Sequence, residues 1–134
     1  FAQLSVSFNA SEVVEYAEKQ YKKLTKSLEP NKYPDHGNLM SDKWNLAPIG
    51  SWTDSFYTGV LWYLFKYTKN MFWKNLAIEN THKLYKDRLV TYTHDIGFMI
   101  MCSYGDGLEI TNNHSYIDAI ITGAHSLSKR YNCK

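Results

Sequence analysis

The sequence predicts an all-α protein built from two layers of helices. Three observations carry that expectation. Apolar residues recur at helical spacing through five segments, which alternate between one wet face and none. Alternation of β-branched residues at period two is missing, so no sheet is expected. Proline and glycine gather in one stretch, residues 30–51, which reads as a long loop. Helices wet on one side suit an outer ring and helices apolar all round an inner ring, which together describe an α/α toroid. An irregular helical bundle with two central helices is the alternative.

The first helix is expected from Ser11, a favoured N-cap, with Glu12 and Glu15 in its first turn. Val13, Val14, Ala17, Tyr21, Leu24 and Leu28 make its apolar stripe, and Pro30 ends it. After the loop, Thr53 or Asp54 can cap a helix over 53–67. There Phe56, Tyr57, Val60, Leu61, Trp62, Leu64 and Phe65 leave almost no polar face. Residues 71–89 return to one apolar face, with Phe72, Trp73, Leu76, Ala77, Leu84 and Leu89 inward. Residues 95–104 are apolar all round, and "SYGDG" is expected to end that helix with Gly105 as C-cap. Residues 114–131 are amphipathic, with Ile117, Ile120, Ile121, Ala124 and Leu127 inward.

The totals exclude several functions. The 134 residues fit one domain, and 15 basic against 13 acidic residues form no basic block or stripe for nucleic acid. No apolar run suffices to span a membrane. Cys102 and Cys133 make neither a disulfide framework nor a paired metal motif, and Cys102 is expected as a buried thiol. His36, His82, His114 and His125 lack ligand spacing, so neither a metal nor a cofactor is expected. The chain begins at Phe1 without a signal-like segment, as a chain with its leader removed would. The 4 Trp, 11 Tyr and 6 Phe are many for one domain. Most are expected to fill the core, although aromatic clefts also take sugars or bases.

One stretch raises a question. "THDIGFMIMCSYGDG", 93–107, opens an apolar helix with a histidine beside a carboxylate. In a toroid, successive inner helices run parallel, since each returns through an outer one. The segments before the two inner helices, "GSWTDS" at 50–55 and "TYTHDI" at 91–96, are then neighbours at one end, with Trp52 close to Asp95. Helix N-termini there offer free N–H groups and partial positive charge. His94 and Asp95 therefore belong on a rim that faces a cleft. Without further information, an N-cap role competes for Asp95 and Asp54, core packing for Trp52 and a buried polar partner for His94.

"SWTDSFYTGVLWYLFKYT" at 51–68 resembles the W-T-x-G-F-W-x-G-x-L-W-x-x-Y-x-Y-T pattern of the unsaturated glucuronyl hydrolases, glycoside hydrolase family 88. "HDIGFMIMCSYGDGLEITNNHSY" at 94–116 resembles the H-D-[IL]-G-F stretch of the same family, and "AEKQYKKL" and "SLSKRYN" fit the helices around them. The resemblance covers nearly all of residues 11–132. It implies an (α/α)6 barrel and a bacterial cytoplasmic or periplasmic setting. The implied substrate is an oligosaccharide ending in a 4,5-unsaturated uronic acid, as polysaccharide lyases leave it; glycosaminoglycans are among the parent polymers. The implied reaction hydrates the C4=C5 enol ether, and the resulting hemiketal collapses to release the sugar. A positioned carboxyl group supplies and removes the protons.

Carried over by position, Asp95 matches an active-site aspartate of the family, the catalytic residue expected here. His94 matches the histidine before it, and Trp52 the tryptophan that lines the sugar site. Asp54 sits where some members carry aspartate; with Trp52 and His94 it completes the expected substrate-binding set. Ser55 stands where glycine is usual and Tyr57 where Trp or Phe is usual. Length is the larger departure: twelve helices at roughly 30 residues each need about 350. The family's second aspartate lies beyond the equivalent of Lys134. The chain is thus expected to be the N-terminal portion of one barrel domain, inactive and self-associating by itself. A truncated, catalytically dead sugar-binding or helical interaction domain is the competing expectation.

Overall fold

The computed structural model describes residues 9–38, 40–41 and 43–131; Cys133 lies outside them. Helix α1 (Ala10–Ser27) starts before the expected cap, because Asn9 caps it instead, its side-chain oxygen accepting from the Ser11 N–H at 3.1 Å. A two-stranded antiparallel hairpin follows, β1 (Lys32–Gly37) and β2 (Trp44–Pro48), with Tyr33 opposite Ala47. The expectation of an unstructured loop without a sheet is corrected here. In a two-stranded ribbon both strands are edges, so Pro34 and Pro48 cost no central ladder bond. Buried Tyr33 and Ala47 tie the ribbon to the helices. The pairing slips between Pro34 and His36, which leaves Asp35 on a bulge.

Helix α2 (Asp54–Thr68) ends at Lys69 in the left-handed conformation, and Asn70 caps α3 (Met71–Lys83). The expected helix to residue 89 instead tightens after Lys83 into a 3-10 segment, Leu84–Leu89. Next come α4 (Ile96–Ile100), a π turn (Met101–Gly105) and α5 (Asp106–Thr111), which form one continuous rod. Gly105 therefore does not end the helix; Asn112, left-handed at φ 54°, does. The π turn has a local cause. The Ser103 hydroxyl donates to the carbonyls of Met99 (2.8 Å) and Ile100 (3.3 Å), in competition with the helical ladder. A 3-10 turn, His114–Tyr116, leads into α6 (Ile117–Ser128).

Two layers result. α2 and the rod from 96 to 111 lie inside, with α1 and α3 against α2 and α6 against α4. The core between them includes Leu61, Trp62, Trp73, Ala77, Leu84, Ile96 and Tyr104. Gly59 lets the inner helices touch: a Cβ there would stand 2.9 Å from the Cys102 carbonyl oxygen. The buried indoles are answered, Trp62 Nε1 donating to Thr81 Oγ1 at 3.0 Å and Trp73 Nε1 to Glu18 at 2.6 Å, whereas the buried Tyr104 hydroxyl has no partner among the described residues. Burial is less complete than the expectation for the inner helices. Phe56, Tyr63 and Tyr67 on α2, with Phe98 and Met101 on the rod, remain exposed. Cys102 is half-buried rather than fully buried. Leu89 and Ile121, expected inward, also face solvent. Among the described residues, no helix is long and apolar enough to cross a membrane.

Candidate active site

The two segments that precede the inner helices meet at one end of the molecule, as the toroid requires. The Tyr92 hydroxyl donates to the Gly50 carbonyl, and the Ser55 hydroxyl donates to the Phe98 carbonyl at 2.9 Å. Gly50 makes the turn into α2 with φ 94°, a conformation closed to most side chains. A Cβ there would also meet the Tyr92 oxygen at 3.1 Å.

Asp95 stands at the N-cap position of α4 but does not cap it with its side chain. Its backbone carbonyl accepts from the N–H groups of Phe98 (2.8 Å) and Met99 (3.2 Å), so the carboxylate stays out of the helix ladder. Thr93 turns it: the Thr93 hydroxyl donates to Asp95 Oδ2 at 2.9 Å and accepts from the Asp95 N–H at 3.1 Å. The side chain is 21% exposed, half-sheltered yet open to a ligand. His94 Nε2 lies 3.4 Å from Asp95 Oδ1 while its ring is 83% exposed, so it has no buried polar partner to satisfy.

Trp52 is half exposed and not a core residue. Its ring meets Phe56 edge-on at 5.9 Å, and Phe56 meets Phe98 at 5.8 Å, which makes a row of rings between the Trp52 segment and α4. Exposed aromatic faces of this kind suit the C–H face of a sugar ring.

Asp54 is placed differently from the expected substrate-binding residue. It is wholly buried behind the rim, where its Oδ2 accepts from the Gly50 N–H at 2.8 Å and its carboxyl adjoins that of Asp87. Nor does it cap α2, which carries no side-chain cap bond. Burial first and the Asp87 charge second raise its pKa to about 8, and burial raises Asp87 as well.

Three contributors escaped the sequence reading. Thr93 orients Asp95, and only its place two residues earlier hints at it. Asp87, in "YKDRL", looks like any solvated charge. Asp35 on the hairpin bulge accepts from the Thr53 hydroxyl at 2.8 Å and pairs with His36 Nδ1 at 2.9 Å. The His36 bond, then the Thr53 bond, hold its carboxyl below the usual range. A groove of about 780 Å³ between α1 and the hairpin is lined by Tyr16, Lys23, Lys43 and Trp44 among others, with no carboxylate in its lining. The chemistry therefore points to the rim and not to that groove. Among the described residues, no three His, Cys, Asp or Glu side chains converge where they could hold a metal.

No protein-family model matches the chain. A curated relative from Formosa agariphila, named unsaturated glucuronyl hydrolase, is 34% identical over 103 residues, which are 76% of this chain and 26% of that protein. The crystal structure of an unsaturated glucuronyl hydrolase specific for heparin superposes with a TM-score of 0.82 at 30% identity, over 92% of this chain and 33% of that one. A variant of the Streptococcus agalactiae unsaturated glucuronyl hydrolase, complexed with dGlcA-GalNAc6S, superposes with a TM-score of 0.76 at 24% identity, over 97% and 35%. The chain thus spans about a quarter to a third of the proteins it matches. Its two helical layers are part of the (α/α)6 barrel of these enzymes, and with matched motifs, fold and relatives all in agreement, the chain belongs to the unsaturated glucuronyl hydrolase family.

Proposed function

We propose that this rim is one part of a site that hydrates the C4=C5 bond of a terminal 4,5-unsaturated uronic acid on an oligosaccharide. The observation that carries the reading is the Asp95 carboxylate, aimed by Thr93, free of capping and flanked by an open row of rings. In the hydration one water is consumed. Its proton goes to C4 and its hydroxide to C5, and the resulting hemiketal opens to release the alcohol of the next sugar. Asp95 is in place to exchange a proton with water or the uronate. His94, beside it and exposed, can donate a hydrogen bond to the uronate carboxylate, while Trp52 offers a ring face to the sugar. Asp54 acts only indirectly, through the Trp52 segment. The proposed substrate class agrees with the names of the relatives.

These residues are further proposed to be the N-terminal portion of one barrel domain, whose second carboxylate lies outside them. Asp95→Asn in a parent chain that contains both carboxylates tests the role. The expected result is a loss of turnover by about 10²–10⁴-fold, read as slower decay of the ultraviolet absorbance of the unsaturated uronate, with the circular dichroism unchanged. Wild-type turnover in that variant would remove Asp95 from the chemistry. The reading as a sugar-binding or interaction module then gains, since the open ring row is enough for binding alone.

A further inference from the structure

Behind the rim, two carboxyl groups have been taken out of water together. Asp54 is 0% exposed and Asp87 2%, and their side chains lie in hydrogen-bond contact. Asp54 Oδ1 and Asp87 Oδ2 are buried and have no donor among the described residues. Among the described residues no cation pairs with either carboxyl, although Arg88 follows Asp87 and its Nε is buried without a partner. The neighbouring Arg88 guanidinium lies 3.4 Å over the Tyr85 ring, and its Nη1 donates to the Tyr85 carbonyl at 2.6 Å. The groups that face the pair from the surrounding elements are phenols: Tyr33 from β1, Tyr92 from the segment before α4, and Tyr104 from the π turn. Burial raises all three phenol pKa values, so they remain neutral. Glu79 on α3, near Tyr33, is exposed and its carboxylate is paired with Lys83 Nζ at 2.7 Å. Two like charges in hydrogen-bond contact cannot both persist away from water and cations.

We propose that Asp54 and Asp87 share one proton, an acid donating to a carboxylate, and that this pair is a positioning device for the rim. A proton between Asp54 Oδ1 and Asp87 Oδ2 gives both orphaned oxygens a partner. It also closes a ring of bonds. Asp54 Oδ2 accepts from the Gly50 N–H, the Gly50 carbonyl accepts from the Tyr92 hydroxyl, and the chain returns from Tyr92 to Asp87. Trp52 lies on the arc between Gly50 and Asp54, and Asp95 lies three residues beyond Tyr92. The ring therefore joins the two segments that the site needs side by side. When the second carboxyl ionises, the ring gains a second buried charge beside the first and opens.

The direction of the pH dependence follows from the raised pKa. Folded Asp54 binds its proton more tightly than the unfolded chain does, so its stabilising effect is complete below the ordinary carboxylate range. That effect falls as the pH climbs toward about 8 and is gone above it. Asp54→Asn is the informative variant. Its amide donates to Asp87 and accepts from Gly50, and it cannot ionise.

The test uses the chain with 5-fluorotryptophan incorporated, followed by infrared and fluorine NMR spectroscopy. At pH 7 the wild type should show a protonated-carboxyl stretch that is lost as the pH passes about 8 and is absent from Asp54→Asn. The Trp52 fluorine resonance should shift over the same range in the wild type and stay fixed in Asp54→Asn. Asp87→Asn should keep the stretch at low pH and lose it at a lower pH than the wild type, because burial still favours the Asp54 acid while the Asp87 charge is gone and the new amide can donate to ionised Asp54. A wild type without a protonated carboxyl at pH 7 would overturn the proposal. So would an Asp54→Asn chain that fails to fold, or one whose Trp52 resonance titrates as before. None of these readouts involves turnover, so the pair stands or falls separately from the hydrolase reading.

Discussion

The two sides of α2 are equally apolar in sequence and opposite in circumstance. Toward α1, α3 and the hairpin, Tyr57, Leu61, Trp62 and Leu64 are buried, and even their polar tips are satisfied, as in the Tyr57–Thr25 hydroxyl contact at 2.7 Å. On the other side Phe56, Tyr63 and Tyr67 stay in solvent, and Phe98 and Met101 of the rod extend the patch. Hydrophobicity alone therefore does not tell which side is core. Partners decide, and the described residues supply them for one side only. The proposed site lies where the two circumstances meet, with Asp95 and Trp52 at the rim and the buried Asp54–Asp87 pair beneath.

The closed side should respond most strongly to mutation. Trp62→Ala removes a fully buried indole and leaves the Thr81 hydroxyl without its donor. A loss of about 3–5 kcal/mol is expected in urea unfolding, a large part of a typical total of about 5–15 kcal/mol. Phe56→Ala on the open side should cost far less. Equal costs would mean that the open face is covered in solution.

Next in size is the contact between the inner helices. Gly59→Ala places a methyl group against the Cys102 carbonyl oxygen, a backbone atom that cannot swing aside. Overpacking of this kind costs about 1–3 kcal/mol. Gly37→Ala, where a Cβ meets nothing within 4 Å, is the control and should change little. If both variants unfold alike, the inner helices do not touch at Gly59.

The open face should betray itself by association. Exposed apolar patches beyond a few hundred Å² generally drive it. Light scattering on the 134-residue chain should show a mass above that of the monomer. That mass should fall in Phe98→Ser, which changes a half-exposed ring and so stability little. A monomeric wild type would end the argument that this face seeks a partner.

Much of this contrast was legible in the sequence. The inner helices announce themselves because Phe56 to Phe65 and Ile96 to Cys102 leave no wet face in the sequence. A parallel course for them implies that the segments before them meet, and they do so through the Tyr92–Gly50 and Ser55–Phe98 hydrogen bonds. What escaped has physical reasons. The hairpin has one deeply buried residue on β1, Tyr33, and carries prolines, so neither period nor propensity marks it. Gly105 looks like a stop, but it sits in the π turn with right-handed helical backbone, and the rod runs through it to Asn112. Asp87 reads as a surface charge because nothing local reveals that its carboxyl points inward to Asp54.

The smallest expected effect concerns Asp35, the exposed counterpart of that buried pair. Burial pushes Asp54 upward, while hydrogen bonds from His36 and Thr53 hold Asp35 downward. The sign of its pH dependence is therefore opposite. A depressed carboxylate adds stability above the unfolded value near 3.9, and that contribution is lost as the pH falls through the folded value. Solvent screens the group, so the energy is slight, and the titration itself is the better observable. Carbon-detected NMR should place the Asp35 midpoint below the ordinary aspartate range. His36→Gln should move it back most, since the His36 bond is the larger cause, and Thr53→Val less. If Thr53→Val leaves the midpoint unmoved, the hairpin does not reach the rim through Thr53, and the bulge at Asp35 has no part in holding the Trp52 segment.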